Sequence, residues 1–393
     1  MILNNVKKAG TDELINILIN DGKIADVSAT AFNAANNNLQ LTFDNAIIFP
    51  GLINSHDHLD FNLFPQLGNR TYSNYTEWGK YIHRNYREEI AAVLKIPPML
   101  RAQWGIYKNL VCGVTTVINH GEKLATANDL ITVFEETNCI HSVGFEKRWK
   151  LKLNNPLKND LPVNIHAGEG DDWSSYNEIN RLIRWNLFKK KLVAVHAVAM
   201  TEEQATEFEA IVWCPQSNYF LLKKTAPVDV LKKQTTMLFG TDSTLTSGWD
   251  IWDHLKSARK TRLLDDETLY KSLTQNAARV WKLNCGEIAT GKDADIVIAK
   301  IKPKTRSFDT FFATEPAEIL LVIHRGHIRL FDETLMAQLQ TTDLSKFSKI
   351  YVNGVGKYVE GNLPGLIENI REYQPEANFQ VQLQDMEVAM QTN

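Results

Sequence analysis

The sequence is poor in cysteine. Its 393 residues include only four, Cys112, Cys139, Cys214 and Cys285, and no two of them stand in a Cys-x-x-Cys spacing. Because thiolate zinc sites and thiol redox sites usually depend on closely spaced cysteines, neither kind of site is indicated. We predict that all four are buried free thiols, since cysteine is among the residue types most often found in protein interiors.

Long apolar runs and a strong net charge are also absent. No stretch reaches the ~18 consecutive apolar residues of a membrane-spanning helix, and residues 1–28 lack the apolar core of a secretory signal. A net charge of −3 leaves no basic footprint for nucleic acid. We therefore expect a cytoplasmic protein with no membrane or nucleic-acid partner.

What the chain does contain is a pair of histidines after an apolar run, in FPGLINSHDHLD at residues 49–60. Because side chains in a strand alternate between faces, His56 and His58 point the same way and Asp57 points the other way. Both imidazoles can therefore reach one cation. The run at residues 46–49 predicts a strand buried on both faces, which puts the pair at the carboxyl end of a parallel strand.

Three further metal-type residues follow short apolar strands. His166 comes after residues 163–165, His196 after residues 193–195, and Asp242 after residues 237–241. The carboxyl ends of parallel barrel strands share one face, where active sites form. Imidazole and carboxylate ligands suit a divalent ion. We expect one such ion, zinc in the first place, with iron or manganese as the alternatives.

At these residues the sequence resembles the amidohydrolase superfamily, whose members are metal-dependent hydrolases on (β/α)8 barrels. Further similarities lie in PGLIN at residues 50–54, GVTTV at 113–117, GTDS at 240–243 and GKDADIV at 291–297. Within the superfamily, the chain most resembles the aminohydrolases with one metal, the deaminase and chlorohydrolase group. These enzymes carry a His-x-x-Glu motif, which His166 and Glu169 fit. The resemblance implies a hydrolase acting on carbon–nitrogen bonds other than peptide bonds.

The resemblance also implies roles for single residues. It assigns the metal to His56, His58, His166 and Asp242. His196 would hydrogen-bond the attacking water, although the equivalent histidine is a ligand in relatives with two metals. Asp242 can accept the water's proton with its second oxygen, and Glu169 can protonate a substrate ring nitrogen and then the departing amine. The expected catalytic residues are therefore Glu169, His196 and Asp242.

We expect hydrolytic deamination of a small molecule, an amino-substituted heterocycle, by a metal-activated water. One alternative is cyclic amide hydrolysis, as in imidazolone ring opening, because relatives with that activity also carry His-x-x-Glu. Another is a non-catalytic scaffold, although such proteins usually lack one or more ligands. A site with two metals would need a carbamylated lysine, and Lys147, Lys150 and Lys152 lie closer to His166 than is usual. A homodimer remains an open alternative to a monomer.

Substrate contacts are expected from the loops that follow the strands. The candidates are His120, Trp149, Trp173, Gln216 and Asn218, which could stack on and hydrogen-bond a flat heterocycle. A long insert at residues 59–99 is rich in asparagine and aromatic residues. It either covers the metal face as a lid or packs on the side of the barrel.

The pattern of elements predicts an α/β protein with two domains and a tail. Short apolar strands at both chain ends, residues 1–48 and 287–360, predict a composite β-sandwich, because neither set alone has enough strands to bury a face. Residues 49–286 are predicted to form the barrel, and residues 361–393 a C-terminal tail. The Asn-rich residues 33–38 predict a turn.

One part of the barrel departs from the regular alternation. Residues 127–136 have a helical pattern and residues 140–145 the pattern of a strand, but only about twenty residues then precede His166. That is too short for a helix, a strand and their loops. One strand is therefore predicted to be missing, very short or distorted, near residues 149–153. Further on, Ser175 and Glu178 predict a capping box for the next helix.

Overall fold

The structure, a computed structural model, describes residues 1–32, 39–124 and 129–383. Its strands are β1 (Ile2–Lys8), β2 (Leu14–Asn20), β3 (Lys23–Ser28), β4 (Gln40–Thr42), β5 (Ala46–Pro50), β6 (Leu52–Asp57), β7 (Val114–Asn119), β8 (Thr132–Phe134), β9 (Asn138–Ser142), β10 (Val163–Ala167), β11 (Leu192–His196), β12 (Ala210–Trp213), β13 (Thr236–Phe239), β14 (Ile296–Lys300), β15 (Ile319–His324), β16 (His327–Asp332), β17 (Phe347–Val352) and β18 (Val355–Glu360). The turn predicted at residues 33–38 lies outside the described residues.

The α-helices are α1 (Tyr75–Asn85), α2 (Arg87–Leu94), α3 (Pro98–Val111), α4 (Trp149–Leu153), α5 (Trp173–Trp185), α6 (Glu202–Ala205), α7 (Pro215–Leu222), α8 (Val228–Leu231), α9 (Ile251–Thr261), α10 (Asp266–Ser272), α11 (Gln275–Trp281), α12 (Phe308–Phe312) and α13 (Leu363–Tyr373). In the part of the chain that the structure describes, none of these helices is long and apolar enough to cross a membrane. The predicted tail begins with α13, and residues 384–393 lie outside the described ranges.

Strands from both chain ends form a single ten-stranded sheet. Its order is β17-β18-β16-β15-β14-β5-β1-β2-β3, with β4 paired to β1. The two ends meet where β5 pairs antiparallel with β14, Ile48 opposite Ile298, and parallel with β1. Leu3, Ile17 and Leu321 share one buried cluster with these two isoleucines. The sequence pattern at both ends therefore predicted strands correctly.

Eight parallel strands form two further sheets, one of β6, β7 and β8 and one that runs from β9 to β13 in chain order. Most residues of β6, β7 and β10–β12 are buried, as expected for parallel strands covered on both faces. Apolar side chains of five different strands share one buried cluster, namely Ile53, Ile118, Val195, Val212 and Leu238. The predicted α/β fold with parallel sheets is confirmed.

The strand that carries the histidine pair differs from the prediction. Residues 46–49 do not lead to His56 within one strand, because they belong to β5 in the ten-stranded sheet. The chain leaves that sheet at Gly51, whose N–H donates to the carbonyl of Asp295, and β6 then begins at Leu52. The apolar residues of β5 continue across Gly51 into Leu52 and Ile53 of β6, so the sequence alone hides the break. The domain boundary predicted at residue 49 falls inside β5.

The short strand lies earlier than predicted. Residues 132–134, predicted as part of a helix over 127–136, form β8 and pair parallel with Thr116–Ile118 of β7. Residues 127–128 lie outside the described ranges. Conversely, residues 149–153 are the short helix α4, in which Trp149 and Leu153, four residues apart, are both buried. Pairing with β7 stabilises β8 in a way that local periodicity does not reveal.

The helices near the cleft also refine the prediction. The insert at residues 59–99 contains α1 and α2, and the α5 cap is Asp172, whose side chain accepts the N–H of Ser175. The capping box predicted from Ser175 and Glu178 is therefore wrong. Glu178 instead accepts the N–H of Gly168 at 2.8 Å, so its carboxylate serves a neighbouring loop and not its own helix.

Asp57 points away from His56 and His58, as strand alternation predicts. Its carboxylate pairs with Lys108 of α3 at 3.1 Å, and both side chains are at most 2% exposed. Asn62 and Asn109 each donate to the same carboxylate at 2.8 Å. This buried pair fixes the end of β6 against α3, and so fixes the strand that presents the two histidines.

Replacing Lys108 with methionine should lower the free energy of unfolding by about 3–5 kcal/mol, because it leaves the buried Asp57 carboxylate without its cation. Denaturant unfolding followed by circular dichroism would measure the change. Lys233→Met, at an exposed lysine, is the matched control and should shift stability by less than about 0.5 kcal/mol. Equal stabilities for the two variants would contradict a structural role for the pair.

Candidate active site

Five metal-type side chains meet where the parallel strands end. His56 lies near the end of β6 and His58 just after it. Their Nε2 atoms lie 3.7 and 3.8 Å from Oδ1 of Asp242, just beyond β13. Nε2 of His166, on β10, lies 3.2 Å from Nε2 of His56. Nε2 of His196, at the end of β11, lies 3.9 Å from Oδ2 of Asp242. The structure thus brings together the predicted set.

The approach of β13 to β6 depends on glycine. The N–H groups of Thr241 and Asp242 donate to the carbonyl of His56 at 3.1 and 3.0 Å. A Cβ atom on Gly240 would lie 2.7 Å from Cβ of His56, closer than folded proteins allow. Glycine at this position therefore lets Asp242 reach the histidine pair.

Hydrogen bonds on the far side of two imidazoles set their tautomers. Nδ1 of His166 lies 2.8 Å from the carbonyl of His141, which can only accept, so Nδ1 carries the proton. Nδ1 of His196 lies 2.9 Å from Oδ1 of Asn218, which gives the same tautomer. In both rings the Nε2 lone pair then faces the site, the orientation that a metal ligand or a water acceptor requires.

Burial keeps the histidines neutral. The pKa of His56 is well below its usual value, first because the ring is buried and then because His58, His196 and His141 are nearby. Burial likewise lowers the pKa of His166, with His120 as the next cause. Because a metal binds neutral imidazole, the site favours the ligand form of both rings.

The donor set fits a divalent ion. His56, His120 and His166, and also His56, His196 and Asp242, each offer ligand-type atoms within 4.8 Å of one another. Neither ring nitrogen of the buried His120 has a partner among the described residues, and the same is true of Nδ1 of His56. Converging imidazole and carboxylate groups without thiolate are typical of zinc hydrolase sites.

Asp242 is held ionised in this buried place. Ser217 and Thr246 donate to its Oδ2 at 2.7 and 2.9 Å, and the N–H of Ser243 donates to its Oδ1 at 2.8 Å. Burial alone would raise the pKa of Asp242, but His58, His196 and these donors lower it below its usual value. Asp242 and His196 also have positive φ angles, 58° and 73°. Backbone strain of this kind is common at functional sites.

Glu169 lies beside these residues, and its pKa is shifted in the direction opposite to that of Asp242. Its side chain is buried, and Oε1 lies 3.6 Å from Nε2 of His196. Burial raises the pKa of Glu169 well above its usual value, and Asp242 and Glu178 add to the effect. The pKa values of two neighbouring carboxyl groups are thus shifted in opposite directions, a difference that is typical of acid–base sites. Gly168, with φ of 67°, makes the turn between His166 and Glu169.

The insert helix α1 is attached to the segment that carries Glu169. The N–H of Tyr75 donates to the carbonyl of Glu169 at 3.0 Å, and Asn74 donates to Asp172 at 2.6 Å. The Tyr75 hydroxyl donates to Glu178 at 3.0 Å and accepts the N–H of Gly144 at 3.0 Å. Since Glu178 also binds the N–H of Gly168, one network connects α1, α5 and the turn before Glu169.

A cavity of about 270 Å³ opens over this cluster. Its walls include residues of the insert, so of the two expectations for residues 59–99 the structure supports a cover over the metal face. The lining residues are His58, Phe61, Tyr75, Trp78, Gly79, Ile82, His83, His141, Phe145, His166, Glu169, His196, Asp242, Ser243, Leu245 and Thr246. The lining combines the polar groups of the cluster with aromatic and aliphatic side chains.

The five residues predicted to bind substrate lie in different places relative to the cavity. His120 lies under the cavity, with its ring centroid 4.3 Å from that of His166, and Asn218 holds His196. Gln216 accepts the N–H of Gly248 at 3.0 Å instead of facing the cavity. Trp173 is 71% exposed and stacks on Tyr176, and Trp149 is buried on α4. The structure brings neither tryptophan to the cavity.

The residues that sequence reasoning missed come mostly from the insert and from the loop after β9. Five further residues line the cavity but belong to none of the strand-end motifs, namely Trp78, Ile82, His83, His141 and Phe145. Their only sequence signal is the aromatic content of the insert. The lysines considered for a second metal lie elsewhere, since Lys150 sits 3.8 Å from the ring centroid of Trp185 and Lys152 pairs with Glu146.

The parallel strands, with buried imidazole and carboxylate groups at their carboxyl ends, form an arrangement typical of metal-dependent hydrolases. The model of the amidohydrolase family matches residues 152–329, somewhat less than half of the chain. The matched part contains His166, Glu169, His196 and Asp242, and it agrees with the resemblance read from the motifs.

The chain is also similar to individual deaminases and hydrolases. A 5'-deoxyadenosine deaminase from Methanothermobacter thermautotrophicus is 24% identical over 386 residues, which cover 81% of this chain and 90% of that protein. The crystal structure of a zinc-bound adenosine deaminase from Xanthomonas campestris covers 96% of this chain and 98% of its own, with a TM-score of 0.69 and 16% identity. A zinc complex of atrazine chlorohydrolase from Arthrobacter aurescens covers 83% and 94%, with a TM-score of 0.65 and 16% identity.

Removing one imidazole should disrupt metal binding. His56→Ala should weaken zinc binding by more than the ~10–100-fold that loss of an outer hydrogen bond typically costs. Equilibrium dialysis with elemental analysis would measure zinc per chain. His327→Ala, at an exposed histidine on β16, is the control and should keep full occupancy. Unchanged zinc affinity in His56→Ala would contradict the site.

Loss of the Tyr75 hydroxyl should loosen α1. In Tyr75→Phe, the buried Glu178 and the N–H of Gly144 lose a partner, at a cost of about 1–3 kcal/mol. Hydrogen exchange of residues 75–85 should then become about 5- to 150-fold faster if local opening governs it. Tyr81→Phe removes only an exposed bond to Asn69 and should change exchange much less. Equal exchange in both variants would refute the network.

Proposed function

We propose that this protein is a metal-dependent aminohydrolase that removes an exocyclic amino group from a heterocycle and releases ammonia. The observation that carries the proposal is the placement of Glu169 and Asp242 on either side of His196, in surroundings that raise the pKa of Glu169 and lower that of Asp242. Replacing an amino group by water needs both a proton acceptor and a proton donor at one carbon. The site provides both within one buried cluster.

We assign the metal to His56, His58, His166 and Asp242, with His196 outside this set. A bound zinc ion would lower the pKa of a coordinated water to about 7 and so supply hydroxide near neutral pH. Nε2 of His56 and Nε2 of His166 lie 3.2 Å apart, and the carbonyl of His141 fixes the second ring. These contacts support a preformed ligand set.

His196 and Asp242 would orient the attacking water. Nε2 of His196 presents a lone pair between the two carboxyl groups, 3.6 Å from Glu169 and 3.9 Å from Asp242, so it can accept a hydrogen bond from the water. Asp242 accepts the proton that the water loses as its oxygen attacks the carbon. The donors Ser217 and Thr246 hold Oδ2 in place throughout this step.

Glu169 would supply the protons that the substrate needs. As the water oxygen bonds to the ring carbon, the carboxyl group of Glu169 donates its proton to the adjacent ring nitrogen, which takes up the electron pair. Glu169, now ionised, then takes the proton of the new hydroxyl group and passes it to the amino group, so that a carbonyl forms as the carbon–nitrogen bond breaks and neutral ammonia leaves. The proton that Asp242 accepted returns to Glu169 and restores both groups. The raised pKa of Glu169 suits the first transfer, because the group enters the cycle protonated.

We also propose that the eight parallel strands close into one (β/α)8 barrel. The hydrogen bonds from Thr241 and Asp242 to His56 support contact between its last and first strands. The shared cluster of Ile53, Ile118 and other strand residues supports one interior. For the ten-stranded sheet we propose a composite β-sandwich of residues 1–48 and 287–360, beside a barrel at residues 49–286. Support comes from the common apolar cluster of both chain ends.

Glu169→Gln tests the proposed proton transfer. Glutamine keeps the shape of the side chain but cannot donate or accept this proton, so turnover per bound metal should fall by ~10²–10⁴-fold. Ammonia release from heterocyclic amines provides the assay, and zinc content should stay intact. Glu203→Gln, at an exposed residue of α6, is the matched control.

Two outcomes would contradict the proposal. Turnover of Glu169→Gln within about threefold of the wild type would show that another group handles the protons. Ring opening of a cyclic amide without any ammonia from a screen of heterocyclic amines would replace deamination by cyclic amide hydrolysis.

A further inference from the structure

We propose that the substrate is an uncharged amino-heterocycle with an apolar substituent or none, and that the site rejects substrates bearing a carboxylate or phosphate. This inference rests on the proposed function and adds the chemical class of its substrate. The juxtaposition that carries it is an apolar cavity wall above two carboxyl groups, with no lysine or arginine among the lining residues.

Part of the cavity lining is apolar. Phe61, Trp78, Ile82, Phe145 and Leu245 supply most of this part, drawn from the insert and from the loops after β9 and β13. Such a surface favours flat rings and aliphatic groups, whose removal from water is favourable. It offers nothing that could replace the water around an ionised group.

Among the described residues that line the cavity, the groups that normally bind anions are either absent or already hydrogen-bonded within the protein. Arginine, lysine and the free N–H groups of a helix N-terminus are the common partners of carboxylate and phosphate. The helix α1 begins at the cavity with Tyr75, but the N–H of Tyr75 donates to the carbonyl of Glu169. The N–H of Glu77 donates to Asn74, the cap of the same helix.

Most polar side chains of the wall are also occupied. The Tyr75 hydroxyl is bound to Glu178 and Gly144, and the Thr246 hydroxyl donates to Asp242. Nδ1 of His141 contacts the hydroxyl of Ser142 at 3.2 Å. Few donors therefore remain for a polar substituent.

The size of the cavity agrees with this class. Its volume of about 270 Å³ lies just below the ~300–1,000 Å³ of sites for drug-sized ligands. A single heterocycle with a compact substituent would occupy it. A large ionised substituent would have to extend beyond this cavity.

The direct test compares matched pairs of amino-heterocycles of similar size that differ by an anionic group, such as adenine with an ethyl or a carboxymethyl group on the same ring nitrogen. We expect kcat/KM for the uncharged member to exceed that for the anionic member by at least about 100-fold, because burying an unpaired charge is costly. Equal values, or preference for the anion, would overturn the inference. Absence of ammonia from every compound would instead refute the proposed function.

A charge-introducing variant tests the electrostatic reason. His83 lines the cavity from the exposed last turn of α1, so His83→Arg would place a cation at its edge, and His83→Gln is the neutral control. The ratio of kcat/KM for the anionic member to that for the uncharged member should be about tenfold higher in His83→Arg than in His83→Gln. Equal ratios in the two variants would overturn the missing cation as the cause of discrimination.

Discussion

The site depends on one contact, the approach of the end of β13 to the end of β6. The N–H groups of Thr241 and Asp242 donate to the carbonyl of His56, and Gly240 removes the side chain that would prevent this. Without this contact Asp242 could not lie within 4 Å of His56 and His58. The ligand set is therefore a consequence of how the first and last parallel strands meet, which explains why residues 186 positions apart (242 − 56) act together.

Around this contact the protein balances each buried charge. Asp57, on the opposite face of β6, is neutralised by Lys108, and Asp242 is held by hydroxyl and N–H donors. Among the described residues no such donor contacts the carboxyl group of Glu169, and burial raises its pKa well above its usual value. The pKa values of two carboxyl groups in the same site are thus shifted in opposite directions because their surroundings differ. We propose that this difference gives the cluster both a base and an acid.

Strand alternation predicted the common orientation of His56 and His58, and the repeated apolar segments predicted where His166, His196 and Asp242 would emerge. The break at Gly51 and the short strand β8 could not be read, because both depend on pairing with segments distant in sequence. Trp149 and Trp173 were expected to bind substrate from their aromatic character alone. Whether a tryptophan faces a cavity, the core or solvent is decided by tertiary packing, and Trp78 of the insert, which lines the cavity, carried no specific signal.

The most direct test of the central claim is the anomalous scattering of a zinc-loaded crystal at the zinc absorption edge. The account predicts one peak per chain, with Nε2 of His56, His58 and His166 and one oxygen of Asp242 at ~2.0–2.2 Å from it. Glu169 should remain outside the coordination sphere. A peak away from these residues, a second peak bridged by a lysine, or direct ligation by Glu169 would contradict the claim.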